Sequence, residues 1–193
     1  MRERHRPASS DTVVQAEVGI IGAGPAGLAA AVRLGQLGVD RVVLVDRLDF
    51  PRDKTCGSAI SPKGCETLAE LGLSEVVARE SYAINGLRLV TPRGHDVFVS
   101  SPQDVALICS RRTFDHLLLQ RAQAMGTSFL GNFDVSFLLQ RGDRVMGFRS
   151  SDGREVRVDY TVVANGAHTR FACERGPRRL IQAIMSTWPL SAS

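Results

Sequence analysis

No C-x-x-C pair occurs among the four cysteines, Cys56, Cys65, Cys109 and Cys173, and the four histidines show no zinc-type spacing with them. This argues against a metal centre and against a disulfide framework, so no metal ligands are assigned and a cytoplasm with reduced thiols is expected. Long runs of one charge are also missing, since 24 basic and 20 acidic residues are interspersed and leave a formal charge of +4. Nucleic acid is therefore not expected as a partner. The small positive balance leaves room for a weak attraction to anionic membrane surfaces. The longest uncharged stretch, Val18 to Val32, follows a basic start, MRERHR, and so has the outline of a signal-peptide core. It is too short to span a bilayer, and Glu17 stands at its entrance. Internal repeats and low-complexity segments are absent as well.

What is present reads as a soluble α/β chain. Ala16 to Ile21 and Arg41 to Val45 are continuous apolar runs that suit buried parallel strands. Between them Pro25 to Gly38 reads as a helix, with proline in the first turn and glycine at the end. Helices are expected from Pro62 to Leu71 and from Ser74 to Arg79, then a hairpin of Gly86 to Val90 with His95 to Ser100. Val105 to Cys109 reads as a strand feeding a helix, in which Phe114, Leu117, Leu118, Ala122 and Met125 share a face and Gly126 is the stop. Three short strands joined by RGDR and SDGR follow, and a last strand, Tyr160 to Ala164, runs into Asn165 and Gly166.

The sequence GAGPAG places Gly22, Gly24 and Gly27 in the G-x-G-x-x-G arrangement between a strand and a helix, with Pro25 and Ala26 between the last two glycines. Such a loop needs a tight turn, a close backbone approach to a pyrophosphate and close helix-to-strand packing. The helix N-terminus then offers N–H groups and partial positive charge to the phosphates. Asp46, followed by Arg47, ends the second strand at the distance expected of an acid that accepts from an adenosine ribose. A 2′-phosphate would meet like charge there, so the adenosine belongs to FAD or NAD, while a separate site could still receive NADPH. The hairpins that interrupt the strand–helix alternation favour FAD.

A second motif, FPRDKTCGSAISPKG, follows Asp46. Read from the residues alone, Cys56 is either a small packing residue in a loop or a reactive thiol. Arg52 and Lys54 read as solvated loop charges, and Cys65 and Cys109 as packing residues. With CSRRTFDHLLLQRA, VVANGAHTRF and GPRRLIQAIM, this motif resembles the geranylgeranyl reductase family of FAD-dependent oxidoreductases, within the group that includes hydroxylases of the p-hydroxybenzoate hydroxylase type. The resemblance implies a Rossmann-like FAD-binding domain with a parallel sheet plus an antiparallel β meander, incomplete at the C-terminus. It also implies that Cys56 and Gly57 border the flavin, with Cys56 as the candidate catalytic residue that helps deliver a proton. Arg111 takes the place of a cofactor-contacting arginine, and Arg112 has the weaker claim. Asn165 and Gly166 occupy a position where relatives usually carry Asp-Gly, and Thr169 stands where they carry Ser.

The expected division is a flexible tail over 1–14, an FAD-binding portion over 15–175 with a hairpin excursion near 84–101, and the start of a substrate or cap region over 176–193. Relatives carry a further cavity motif, P-x-x-Y-x-W-x-F-P, and a later G-D-A segment. Neither occurs among the 193 residues, and Trp188 lacks the matching neighbours. A truncated copy with weakened FAD binding and marginal stability is therefore expected. By resemblance the activity is reduction of isoprenoid C=C bonds, on a prenylated small molecule or a lipid, with NADPH or a reduced ferredoxin-like protein as donor. Contact with a membrane periphery would follow from such a substrate. The alternatives are an aromatic monooxygenase, in which reduced flavin meets oxygen, and a nucleotide-binding fragment without catalysis.

Overall fold

The computed structural model describes residues 13–100, 106–166, 171 and 180–182. In chain order the elements open with β1 (Val13–Gln15), β2 (Val18–Ile21), α1 (Pro25–Gln36), β3 (Val42–Val45), β4 (Ala59–Ile60), α2 (Pro62–Glu70) and α3 (Ser74–Arg79). They continue with β5 (Tyr82–Ile84), β6 (Gly86–Val90), β7 (Asp96–Ser100), β8 (Ala106–Ile108), α4 (Arg111–Ala124) and β9 (Ser128–Leu130). The last are β10 (Val135–Arg141), β11 (Arg144–Ser150), β12 (Glu155–Arg157), β13 (Tyr160–Val163) and β14 (Leu180–Gln182). Val13 and Val14, from the expected tail, lie in β1, and residues 1–12 are outside the described residues. So are His168, Thr169, Cys173, Trp188 and most of the expected cap region.

The chain divides into two compact units, Met1–Phe50 with Ala122–Ser193, and Pro51–Arg121. The first is an α/β unit. Its five-stranded sheet, ordered β14-β13-β2-β3-β9, is parallel throughout. Every residue of β2 and β3 is buried, which is why both read as unbroken apolar runs. Helix α1 packs on β2 and β3 through Leu28, Ala31 and Val32, all fully buried.

A four-stranded sheet, β1-β12-β11-β10, completes this unit, with β10, β11 and β12 forming the antiparallel meander. The core between the two sheets gathers Ile21, Val43, Val45, Val163, Phe133, Phe148, Val156 and Val158. Phe133 and Phe148 meet edge to face with centroids 6.0 Å apart, and the Arg154 guanidinium lies 4.8 Å above the Phe133 ring. Gly19 in β2 has no side chain for a packing reason, because a Cβ there would stand 2.7 Å from the Phe148 ring.

In the second unit β4, β8 and β5 form a small antiparallel sheet, and β6 and β7 form the expected hairpin. Ser61 caps α2 by accepting from the Gly64 N–H at 3.2 Å, with Pro62 in the first turn. Ser110 likewise accepts from the Thr113 N–H at 3.2 Å where α4 begins.

Candidate functional site

In the first unit the glycine loop leaves the carboxyl end of β2. Gly22 has φ +104°, and its N–H donates to the Val45 carbonyl at 2.8 Å. A Cβ on Gly22 would lie 2.6 Å from the Ala164 carbonyl oxygen and 2.8 Å from the Asn165 Cα. The loop therefore abuts the exit of β13, which brings Gly22 beside Asn165. A Cβ on Gly27 would collide with the Gly22 carbonyl, so these two glycines close the strand-to-helix turn. Gly24 is the N-cap of α1 and gives it no side-chain acceptor, and the first turn carries no acid. The N–H groups of that turn, Ala26 and Gly27 included, and the positive end of the helix dipole suit an anion. Pro25 has no N–H to satisfy and occupies the helix start.

Asp46 joins the loop to the end of β3. Its Oδ2 accepts the Ala23 N–H at 2.8 Å and its Oδ1 accepts the Leu48 N–H at 3.0 Å. A carboxylate offers about four acceptor positions, so these bonds are compatible with a further hydroxyl donor such as a ribose. Arg47, Asn165 and Gly166 are exposed, and Gly166 has φ +95°. The glycine loop, Asp46, Asn165 and Gly166 thus gather at the carboxyl ends of parallel strands, the edge at which open α/β sheets bind ligands. These residues fit the adenosine and pyrophosphate of a dinucleotide such as FAD.

In the second unit Cys56 and Gly57 are exposed. The Ser58 N–H, the Arg111 guanidinium and the Gly57 N–H stand beside the Cys56 sulfur, and the Ser58 amide contributes most to holding the thiol below its ordinary pKa. Ser58 adopts a left-handed φ of 59°, and its carbonyl accepts from the Cys109 N–H at 3.0 Å. A Cβ on Gly57 would meet no protein atom within 4 Å. Among the described residues nothing demands glycine there.

Arg111 is bound more firmly than the sequence suggests. Its Nε and Nη2 reach the two oxygens of Asp115 at 2.8 and 2.7 Å, and this pairing raises the guanidinium pKa. Arg52 corrects the sequence reading, because it is 9% exposed instead of solvated and its Nη1 lies 3.1 Å from Asp115 Oδ2. Asp115 is fully buried. It was legible in RRTFD as an i,i+4 partner of Arg111 lying on the same stripe as Leu118 and Ala122. Arg112 is exposed and pairs with Asp53 at 3.3 Å. Cys109 is buried and its S–H donates to the Glu80 carbonyl at 3.5 Å, a packing role.

Comparison with known proteins supports the same assignment. Residues 15–188 match the model of the FAD binding domain. The chain is 32% identical over 168 residues to the menaquinone reductase of Mycobacterium tuberculosis, covering 84% of this chain and 40% of that protein. It is 25% identical over 166 residues to digeranylgeranylglycerophospholipid reductase 1 of Methanothermobacter thermautotrophicus, covering 83% of this chain and 41% of that one. The chain thus spans about two fifths of the length of these relatives. Among solved structures, the FAD-dependent chondrochloren halogenase of a myxobacterium superposes with a TM-score of 0.71 at 24% identity, over 81% of this chain and 38% of that one, a likeness of fold. The glycine loop tied to Asp46 and the parallel sheet that carries it lie within the matched residues, and the chain belongs to the FAD binding domain family.

Proposed function

We propose that this chain is the FAD-holding portion of a reductase of the geranylgeranyl reductase type, acting on isoprenoid C=C bonds of a lipid or a prenylated small molecule. The observation that carries the reading is Cys56, an exposed thiol with the Ser58 N–H and the Arg111 guanidinium beside it, on the loop that the family resemblance sets against the flavin. The similarity to a digeranylgeranylglycerophospholipid reductase supports the substrate class.

Gly22, Gly24, Pro25, Ala26 and Gly27 would hold the pyrophosphate, Asp46 the ribose with Arg47 beside it, and Asn165 and Gly166 the neighbouring edge. Gly57 would give the flavin ring access to the backbone. FAD, when bound and reduced, supplies a hydride to one carbon of the double bond, and the other carbon then needs a proton. Cys56 Sγ holds that proton, and a thiol drawn down from its ordinary range is a better matched acid near neutral pH. Arg111 steadies the thiolate left behind. NADPH or a ferredoxin-like protein would restore the reduced flavin. Among the described residues no helix is long and apolar enough to cross a membrane. A lipid substrate of this class would be met at a membrane surface.

The test replaces the corresponding segment of an intact relative with residues 15–166 of this chain. Cys56→Ala in that hybrid is expected to lower kcat by about 100-fold, the lower end for loss of a positioned acid, while FAD stays bound. Full turnover by the alanine variant would overturn the role of Cys56. Oxygen uptake coupled to ring hydroxylation, without double-bond reduction, would favour a monooxygenase instead.

A further inference from the structure

We infer that Asp115 is a positioning residue: anchored by Arg52, its buried carboxylate fixes the Arg111 guanidinium in the orientation that meets the Cys56 sulfur. The meaning of this for catalysis rests on the function proposed above. The geometry itself does not.

The arrangement is built outward from a fully buried carboxylate. Such a group is sustained only by close, well-directed partners. Asp115 has two of them, from different segments, Arg111 one turn earlier on α4 and Arg52 from the loop after Phe50. The Nε and Nη2 contacts of Arg111, at 2.8 and 2.7 Å, form a fork that sets the plane of the guanidinium as well as its distance. Arg52 approaches the same Oδ2 that Arg111 Nη2 uses, and so prevents the carboxylate from turning away. Two arginines and one carboxylate leave one positive charge. Arg111, with 15% of its side chain exposed, is the member of the three that reaches the Cys56 sulfur. A thiolate there would bring the cluster to neutrality.

The charged groups involved are few. Arg111 from α4 faces the sulfur, alongside the Ser58 and Gly57 N–H groups of its own loop. Arg52 and Arg111 face Asp115. Two opposing consequences of removing the carboxylate follow. Loss of a nearby negative charge alone would favour the thiolate, whereas loss of the orientation of Arg111 would disfavour it.

Peptide-resolved alkylation of Cys56 by iodoacetamide, followed against pH on the whole 193-residue chain without added flavin, separates the two. Asp115→Asn is expected to slow alkylation at pH 7 by roughly threefold or more and to move the profile to higher pH. In an Arg111→Gln background it should add nothing. Because Asp115→Asn takes from Arg52 and Arg111 the carboxylate they share, the Arg52→Met/Asp115→Asn variant, which removes a charge pair together, serves as a second probe with the same expected slowing. Asp115→Glu keeps the charge but displaces the carboxylate, and should slow the reaction as well. Unchanged or faster alkylation in variants that retain wild-type circular dichroism would overturn the inference. A hybrid that bound FAD but reduced no isoprenoid double bond, beside the expected slowing in this chain, would refute the proposed function and leave the role of Asp115 standing.

Discussion

At the scale of single residues, two kinds of glycine serve different ends. Gly22 and Gly27 are demanded by the protein, since a Cβ at either would strike backbone, whereas a Cβ at Gly57 meets no atom of the described residues within 4 Å. Gly57→Ala is therefore expected to leave stability within about 0.5 kcal/mol of wild type. If the loop borders the flavin, the same substitution should weaken FAD binding, and isothermal titration of the purified hybrid would show it. A stability loss without an affinity loss would remove Gly57 from the site. The Cys56 thiol gives a pH signature with a defined sign. Its pKa is lowered on folding, so the contact with Arg111 and Ser58 stabilises the fold above the unfolded thiol pKa and fades as pH falls through the folded value.

Among the elements, most of the architecture was legible because apolar period and turn chemistry agreed. Continuous apolar runs gave β2 and β3, Pro25 and Gly38 bracketed α1, and RGDR and SDGR marked the turns of the meander. The strands that escaped, β1, β4, β5, β9 and β14, are two or three residues long. So short a segment has no period, and only its partner strand makes it a strand. Arg52 escaped for a similar reason, since its burial depends on a carboxylate on α4, far along the chain. The contact between the two sheets of the first unit is concentrated on Phe148, which is fully buried against Phe133 and Gly19. Phe148→Ala should lower stability by about 3–5 kcal/mol, read as a lower urea midpoint. A loss below about 1 kcal/mol would mean that the sheets do not rely on this ring.

At the scale of the whole chain, exposed large hydrophobics among the described residues gather most densely on the β6–β7 hairpin. In the hairpin Leu87, Leu89, Val97 and Val99 lie on one face and are each more than half exposed, with Phe98 and Val90 exposed on the other. An uncovered face of this kind limits solubility. Replacing all four by threonine, which keeps β propensity, should raise the concentration at which the chain stays in solution, measured by sedimentation, with circular dichroism unchanged. No gain would mean that the face is not what limits solubility. The order of the parallel sheet carries a consequence for synthesis. Strand β2, near the start of the chain, takes β13 as one neighbour, with Val18 opposite Tyr160, while Val43 of β3 waits for Ser128 of β9. On the ribosome these early strands emerge with open edges and must keep them open until much later segments arrive, so the interval before Tyr160 is translated is when the nascent chain most needs a chaperone.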